Sequence, residues 1–246
     1  MSSATELHLR RPRRRALLIT VTAIFCLALT ASAAAKAKAA TAPSSGCAAV
    51  NIITARASTE SPGEGTTGSL VSQIVSSSTQ TVSHEAVVYP ATLTNYASSE
   101  SQGVTNAEQE LTTAVQNCPN QKEVLLGYSQ GAEVSMDVIA GNSEVGSVAA
   151  VSTSISSHVV AIANFGDPGH VVNQAWDLGT STRNGLFARS SSQLKLLTAF
   201  GSGKISAWCD SADPYCASGT NLNVHLTYLN RYQNAAASFV LSKIGG

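Results

Sequence analysis

Ser129 stands in Gly127-Tyr128-Ser129-Gln130-Gly131, a G-x-S-x-G string that occurs once in the chain. The apolar run Val124, Leu125 and Leu126 precedes it, and a segment follows in which Ala132, Val134, Val138 and Ile139 can be buried by a helix. A serine on so sharp a strand-to-helix turn is held in a strained backbone conformation, and the neighbours on either side of the turn come too close for a β-carbon. Glycine at both flanks meets that demand. The serine oxygen is left standing above the end of a strand, and the N–H groups that open the helix point to where a negative oxygen would form. The chemistry implied is nucleophilic attack on a carbonyl carbon.

A neutral serine needs an imidazole to take its proton and a carboxylate to hold that imidazole in the right tautomer. Where such a turn carries the nucleophile, the chain order is Ser, then Asp or Glu, then His. His8 and His84 precede Ser129, and His158 and His170 stand close to the apolar run ending at Phe165, with no suitable loop acid in between. His225 is therefore the expected base. The acids available are Asp137, Asp167, Asp177, Asp210 and Asp213. Asp213 lies in the middle of Cys209-Asp210-Ser211-Ala212-Asp213-Pro214-Tyr215-Cys216, a loop that a disulfide would clamp and Pro214 would stiffen. Asp210 is its competitor, and Asp167 before Pro168 reads as a turn former.

The elements that must position these groups follow from periodicity. Strands are expected in the run opening at Cys47, over 86–89, before the elbow, over 159–165 and over 205–208; helices are expected over 68–78, 104–117, after the elbow, and over 226–244. Residues 91–103 read as a polar loop, and 170–200 show no strong period. Strands and helices alternating with short connections imply a mostly parallel sheet covered on both faces, without a second domain.

The first segment lies outside that core. Arg10, Arg11, Arg13, Arg14 and Arg15 precede the apolar run 16–29, and Ala31-Ser32-Ala33 supplies a cleavage pattern, so 1–33 read as a secretory signal peptide and 34–46 as a flexible N-terminus. The apolar run is shorter than the ~20 residues a membrane span needs. Removing 1–33 takes five of the 15 basic and one of the 15 acidic residues, leaving ten against fourteen. A mildly acidic chain with no basic patch argues against nucleic acid as a partner. Cys26 leaves with the leader, and the even set Cys47, Cys118, Cys209 and Cys216 suits disulfides in an exported chain. Spacing favours Cys209 with Cys216 and Cys47 with Cys118, with other pairings left open. No local Cys/His cluster suggests a metal.

Val124-Leu125-Leu126-Gly127-Tyr128-Ser129-Gln130-Gly131-Ala132-Glu133, the cysteine-framed Asp213-Pro214-Tyr215, His225 beyond it and Gly166-Asp167-Pro168 at a strand end together resemble the cutinase and acetylxylan esterase family, from about Cys47 onward. The resemblance implies a three-layer α/β-hydrolase sandwich without a large lid, secreted, monomeric and free of cofactor. It implies Ser129 as nucleophile, Asp213 as acid, His225 as base, and disulfides Cys47–Cys118 and Cys209–Cys216. It also implies an oxyanion hole from the N–H groups of Gln130 and Ser58, the latter in Arg56-Ala57-Ser58-Thr59-Glu60, where Ala57 replaces the glycine common in the family. The small, polar stretch between Cys216 and His225, with Leu222 and Val224 the exceptions, favours short acyl groups such as acetyl on a cell-wall polysaccharide. Cutin or another polyester is the alternative, and a non-catalytic carbohydrate-binding protein on the same fold is a further one.

Overall fold

A computed structural model describes residues 46–245; the signal peptide and most of the N-terminal segment expected from the sequence lie outside the described residues. Among the described residues six strands form one sheet in the order β2-β1-β3-β4-β6-β5, every neighbouring pair parallel. They are β1 Val50–Ala55, β2 Val82–Ala86, β3 Lys122–Tyr128, β4 Val159–Phe165, β5 Asp177–Gly179 and β6 Ile205–Cys209. The central strands are buried on both faces, because alternate side chains serve two separate cores. Val50 and Ile52 join Leu70 and Ile74 of α1 (Gly68–Ser77) and Ala236 and Val240 of α7 (Tyr228–Ile244). Ile53 and Ala55 face the opposite layer, with Leu111 of α2 (Tyr96–Asn117), Val134 and Val138 of α3 (Gln130–Ala140), and Leu197 of α5 (Ser191–Gly201). Short helices α4 (Thr153–Ser156) and α6 (Leu222–Leu226) lie between these elements in the chain. This is the three-layer α/β-hydrolase arrangement, with the sheet wholly parallel. The cysteines pair as spacing favours: Cys47–Cys118 ties the approach to β1 to the end of α2, and Cys209–Cys216 closes the loop after β6.

Two expectations need correction, and the stretch 170–200, where the sequence shows no strong period, holds two elements. The second strand is 82–86 rather than 86–89, because its middle residues Ser83, His84 and Glu85 are tolerated at an exposed sheet edge, while beyond Ala86 the chain keeps a bond from the Val87 N–H to Thr54 of β1 and turns Val87 and Tyr89 into the core. The polar stretch 91–103 is mostly helix: α2 starts at Tyr96, and its first turns bury Ser99 and Glu100, which hydrogen-bond to Gln130 and Asn142. Polar burial of that kind defeats a reading based on apolar period. Within 170–200, β5 pairs only three residues at the sheet edge, and α5 is opened by a capping box of Ser190 and Gln193.

Two carboxyls on the α2–α3 side carry a consequence for stability. Glu100 and Glu123 are fully buried, and burial pushes each from 4.5 up to about 7, against the opposing hydrogen bonds from Asn142 and Asn51. Between 4.5 and about 7 the folded protein holds protons that the unfolded chain has released, so this contribution is complete below the unfolded value and is lost as pH rises through about 7. The melting temperature is expected to fall between about pH 5 and pH 8, and Glu123→Gln to flatten that slope; calorimetry across the range checks both.

Candidate active site

At the end of β3 the backbone turns through Ser129 at φ 55° and ψ −121°, a strained conformation for a residue with a side chain. A β-carbon on Gly127 would meet the Gly131 carbonyl oxygen at 2.3 Å, and one on Gly131 would meet the Ala55 carbonyl oxygen at 2.0 Å. No rotamer relieves contact with backbone atoms, so both positions require glycine. α3 begins immediately at Gln130, and its first N–H groups have no carbonyl within the helix to accept them.

His225 comes from α6, and its Nε2 lies 2.9 Å from Ser129 Oγ. Its Nδ1 lies 2.8 Å from Asp213 Oδ2. The other Asp213 oxygen accepts the backbone N–H groups of Tyr215 at 2.7 Å and Cys216 at 3.0 Å. The carboxylate is fully buried; burial would raise it, yet the His225 hydrogen bond and charge, with the Cys216 and Tyr215 N–H groups, hold it below the ordinary aspartate value. Room for the imidazole is made by Gly166 after β4, at φ 64°, where a β-carbon would stand 2.8 Å from His225 Cε1. Tyr128 donates its hydroxyl to the His225 carbonyl and fixes the short helix over the strand ends.

Among the described residues, Asp210, Asp167, Asp177, His84 and His170 have partners of their own away from Ser129, and His8 lies outside the described residues. Asp210 accepts from Arg231 Nε at 2.9 Å, Tyr232 at 2.8 Å and Thr180 N–H at 3.1 Å, and so anchors the cysteine loop from outside. Asp167 accepts the Gly169 N–H at 2.8 Å, the turn role read from its sequence, and also pairs with Arg189 at 2.5 Å. His84 pairs with Glu64 at 2.6 Å, and His170 stands 3.7 Å from Asp177.

Across the cleft from the serine runs the loop after β1. Glu60 accepts the Ala57 N–H at 2.7 Å and the Thr66 N–H at 2.8 Å, and Ala91 accepts the Thr59 N–H at 2.7 Å. Arg56 braces the loop by donating to the Tyr89 carbonyl at 2.6 Å. Ser58 lies between these two fixed N–H groups, and its Oγ is buried with no hydrogen-bond partner among the described residues. The positive φ here belongs to Thr59, at 69°, so Ala57 occupies an ordinary conformation and its β-carbon costs no strain. Sequence reasoning gave no role to Glu60, Gly166 or Tyr128, although Glu60 three residues after Ala57 has the spacing by which a Glu carboxylate reaches back to a backbone N–H.

The serine opens into a cleft of ≈ 490 Å³ walled by Tyr96, Phe187, Leu186 and Leu222. A recess of ≈ 550 Å³ near the start of β1, lined by Asn51, Glu85 and Gln121 among others, has no nucleophile facing a base. Among the described residues no group of His, Cys, Asp and Glu could hold a metal ion, and no helix is long and apolar enough to cross a membrane.

A parallel sheet with a strained serine turn after its third strand, an aspartate on the loop after the sixth and a histidine on a short helix beyond it defines an α/β hydrolase. The sequence model of the Cutinase family matches residues 46–244, and the chain belongs to that family. Cutinase 11 of Verticillium dahliae is 32% identical over 210 residues, covering 80% of this chain and 70% of its own. Acetylxylan esterase 2 of Talaromyces purpureogenus is 30% identical over 211 residues, covering 81% and 88%. The solved catalytic core of acetyl xylan esterase from Trichoderma reesei superposes with a TM-score of 0.73 at 31% identity, covering 80% of this chain and 99% of that one. The chain is a carboxylic ester hydrolase.

Proposed function

We propose that the protein is a secreted, monomeric serine esterase in which Ser129, His225 and Asp213 cleave the ester in two steps. The observation that carries the reading is the unbroken hydrogen-bonded line from Asp213 through His225 to Ser129, at 2.8 and 2.9 Å. His225 Nε2 takes the Ser129 proton as Oγ attacks the ester carbonyl, and Asp213 stabilises the imidazolium that results. The N–H groups of Gln130 and Ser58 receive the oxyanion, and Ser58 Oγ is free to donate as well. Collapse expels the alcohol with the proton from His225, and water repeats the sequence on the acyl-enzyme.

The acyl group is the finer question. The polar stretch before His225 favours acetyl, yet the surface of the cleft is mostly apolar, although Ser58, Thr59 and Glu60 also line it. Leu93, Leu186, Leu222 and Leu226 all line it and are 50 to 61% exposed, which favours the alternative: an apolar acyl chain longer than acetyl, as in a lipid-like or polyester substrate. Each methylene that reaches these leucines adds up to ~0.8 kcal/mol, about fourfold in kcat/KM. Turnover of p-nitrophenyl esters of rising chain length is expected to peak beyond acetate, and the double variant Leu186→Ser/Leu226→Ser to lose that preference. Best activity on acetate, together with release of acetate from acetylated xylan, would decide for the short-chain reading.

A further inference from the structure

Tyr228 opens α7 and is wholly buried, among the rings of Phe165, Tyr128 and Tyr232. Its hydroxyl lies 2.7 Å from the Asp210 backbone nitrogen and 2.9 Å from Asp213 Oδ2. An N–H can only donate, so the phenol oxygen accepts from Asp210 and its own hydrogen is left for the carboxylate. The third contact, Cys216 Sγ at 3.2 Å, is a disulfide sulfur with no hydrogen to give and little power to accept. The same Asp213 oxygen faces His225 Nδ1 at 2.8 Å. A line of donors thus runs from the Asp210 backbone through Tyr228 to Asp213, and meets there the line that ends at Ser129.

We propose that Tyr228 is a positioning residue for the esterase reaction: its hydroxyl fixes Asp213 Oδ2 toward His225 and takes up part of the carboxylate's charge. The inference rests on the proposed roles of Ser129, His225 and Asp213. A neutral donor suits the task, because it restrains the carboxylate without cancelling the negative charge that the imidazolium requires, as a cation would. Burial, with the Asp213 charge, keeps the phenol protonated well above its ordinary range, so it remains a donor at every pH at which the enzyme would work. Without it, Oδ2 keeps only His225 as a donor, its charge is less dispersed, and the attraction to protonated His225 grows. The acid limb of the pH–rate profile then moves to higher pH, while looser aim lowers turnover.

The other groups near this pair are Asp210 on the cysteine loop, Arg231 lying over the Tyr228 ring at 4.9 Å, His170 on the loop after β4, and the rings of Tyr128 and Tyr215 against His225, with Glu60 acting on Tyr128 from across the cleft. All are retained when only the hydroxyl is removed.

The test is Tyr228→Phe beside Tyr232→Phe, which deletes a hydroxyl that touches Asp210 and not Asp213. Tyr228→Phe is expected to lower kcat about tenfold with KM little changed and to move the acid limb of kcat/KM up by about half a pH unit or more. Tyr232→Phe is expected to leave the limb in place. An unmoved limb in Tyr228→Phe, or an equal shift in both variants, overturns the proposal. If Tyr228→Phe does not fold, 3-fluorotyrosine at this position makes the phenol a stronger donor and is expected to move the limb to lower pH; no movement overturns the proposal equally. Activity in Ser129→Ala would instead sink the underlying triad, so the two failures are told apart.

Discussion

Ser129→Ala is expected to lower ester turnover by about 10⁴-fold or more while leaving the fold and the melting temperature close to unchanged. Alanine keeps the β-carbon that the elbow already accommodates at φ 55°, and removes only the oxygen that faces His225. What remains after its loss is acceleration from oxyanion donors and substrate binding alone. The variant also separates the roles: Asp213→Asn should cost on the order of 10⁴-fold in kcat by favouring the wrong imidazole tautomer, with the serine still present. A fluorophosphonate probe makes the point independently of substrate choice. It is expected to label the native protein at Ser129 alone and to leave Ser129→Ala unlabelled. A Ser129→Ala protein that releases p-nitrophenol at the native rate would falsify the nucleophile.

The site is legible in the sequence to the extent that chemistry restricts residue type. G-x-S-x-G demands glycine where backbone atoms stand 2.0 to 2.3 Å from a hypothetical β-carbon, so the string carries its own geometry. Chain order then selects His225, and the cysteine frame selects a loop, but not which of Asp210 and Asp213 turns inward. That choice depends on Tyr215 and Cys216 N–H groups pointing at one carboxylate and Arg231 and Tyr232 at the other, which no pattern of types records. Tyr228 is hidden for a related reason: a tyrosine at the head of an amphipathic helix reads as core, and its ring is core. Only the direction of its hydroxyl makes it more. The fold follows from apolar period wherever the buried face is apolar. It is lost at the start of α2, where Ser99 and Glu100 are buried by polar partners, and at β5, where three edge residues cannot show a period.

Arg189 carries the second large effect, on stability rather than chemistry. Its side chain is 3% exposed and reaches three acceptors: Asp137 Oδ1 at 2.7 Å, Asp167 Oδ2 at 2.5 Å and the Glu133 carbonyl at 3.2 Å. Gly169 makes the space, since a β-carbon there would come 2.4 Å from the guanidinium. One cation thus joins α3, the turn after β4 and the chain leaving the cleft wall at Phe187, amid the buried acids Glu100, Glu133, Asp137 and Asp167. Burial raises the carboxyls of Asp137 and Glu133 well above their ordinary values, and Arg189 opposes that rise. Removing it leaves buried carboxylates to ionise unpaired or to keep their protons, so Arg189→Ala is expected to cost about 3–5 kcal/mol, a large share of a domain's stability. The sign of the pH effect follows. With the guanidinium gone the folded carboxyls hold protons to still higher pH, the stability tied to those protons is lost as pH rises, and the deficit should be smaller near pH 5 than near pH 8. Arg189→Lys should recover only part of the loss, because a single ammonium cannot span three acceptors on three segments. Urea titration of the three proteins at both pH values measures this, and a loss under about 1 kcal/mol for Arg189→Ala would mean that the carboxyls pair among themselves without the cation.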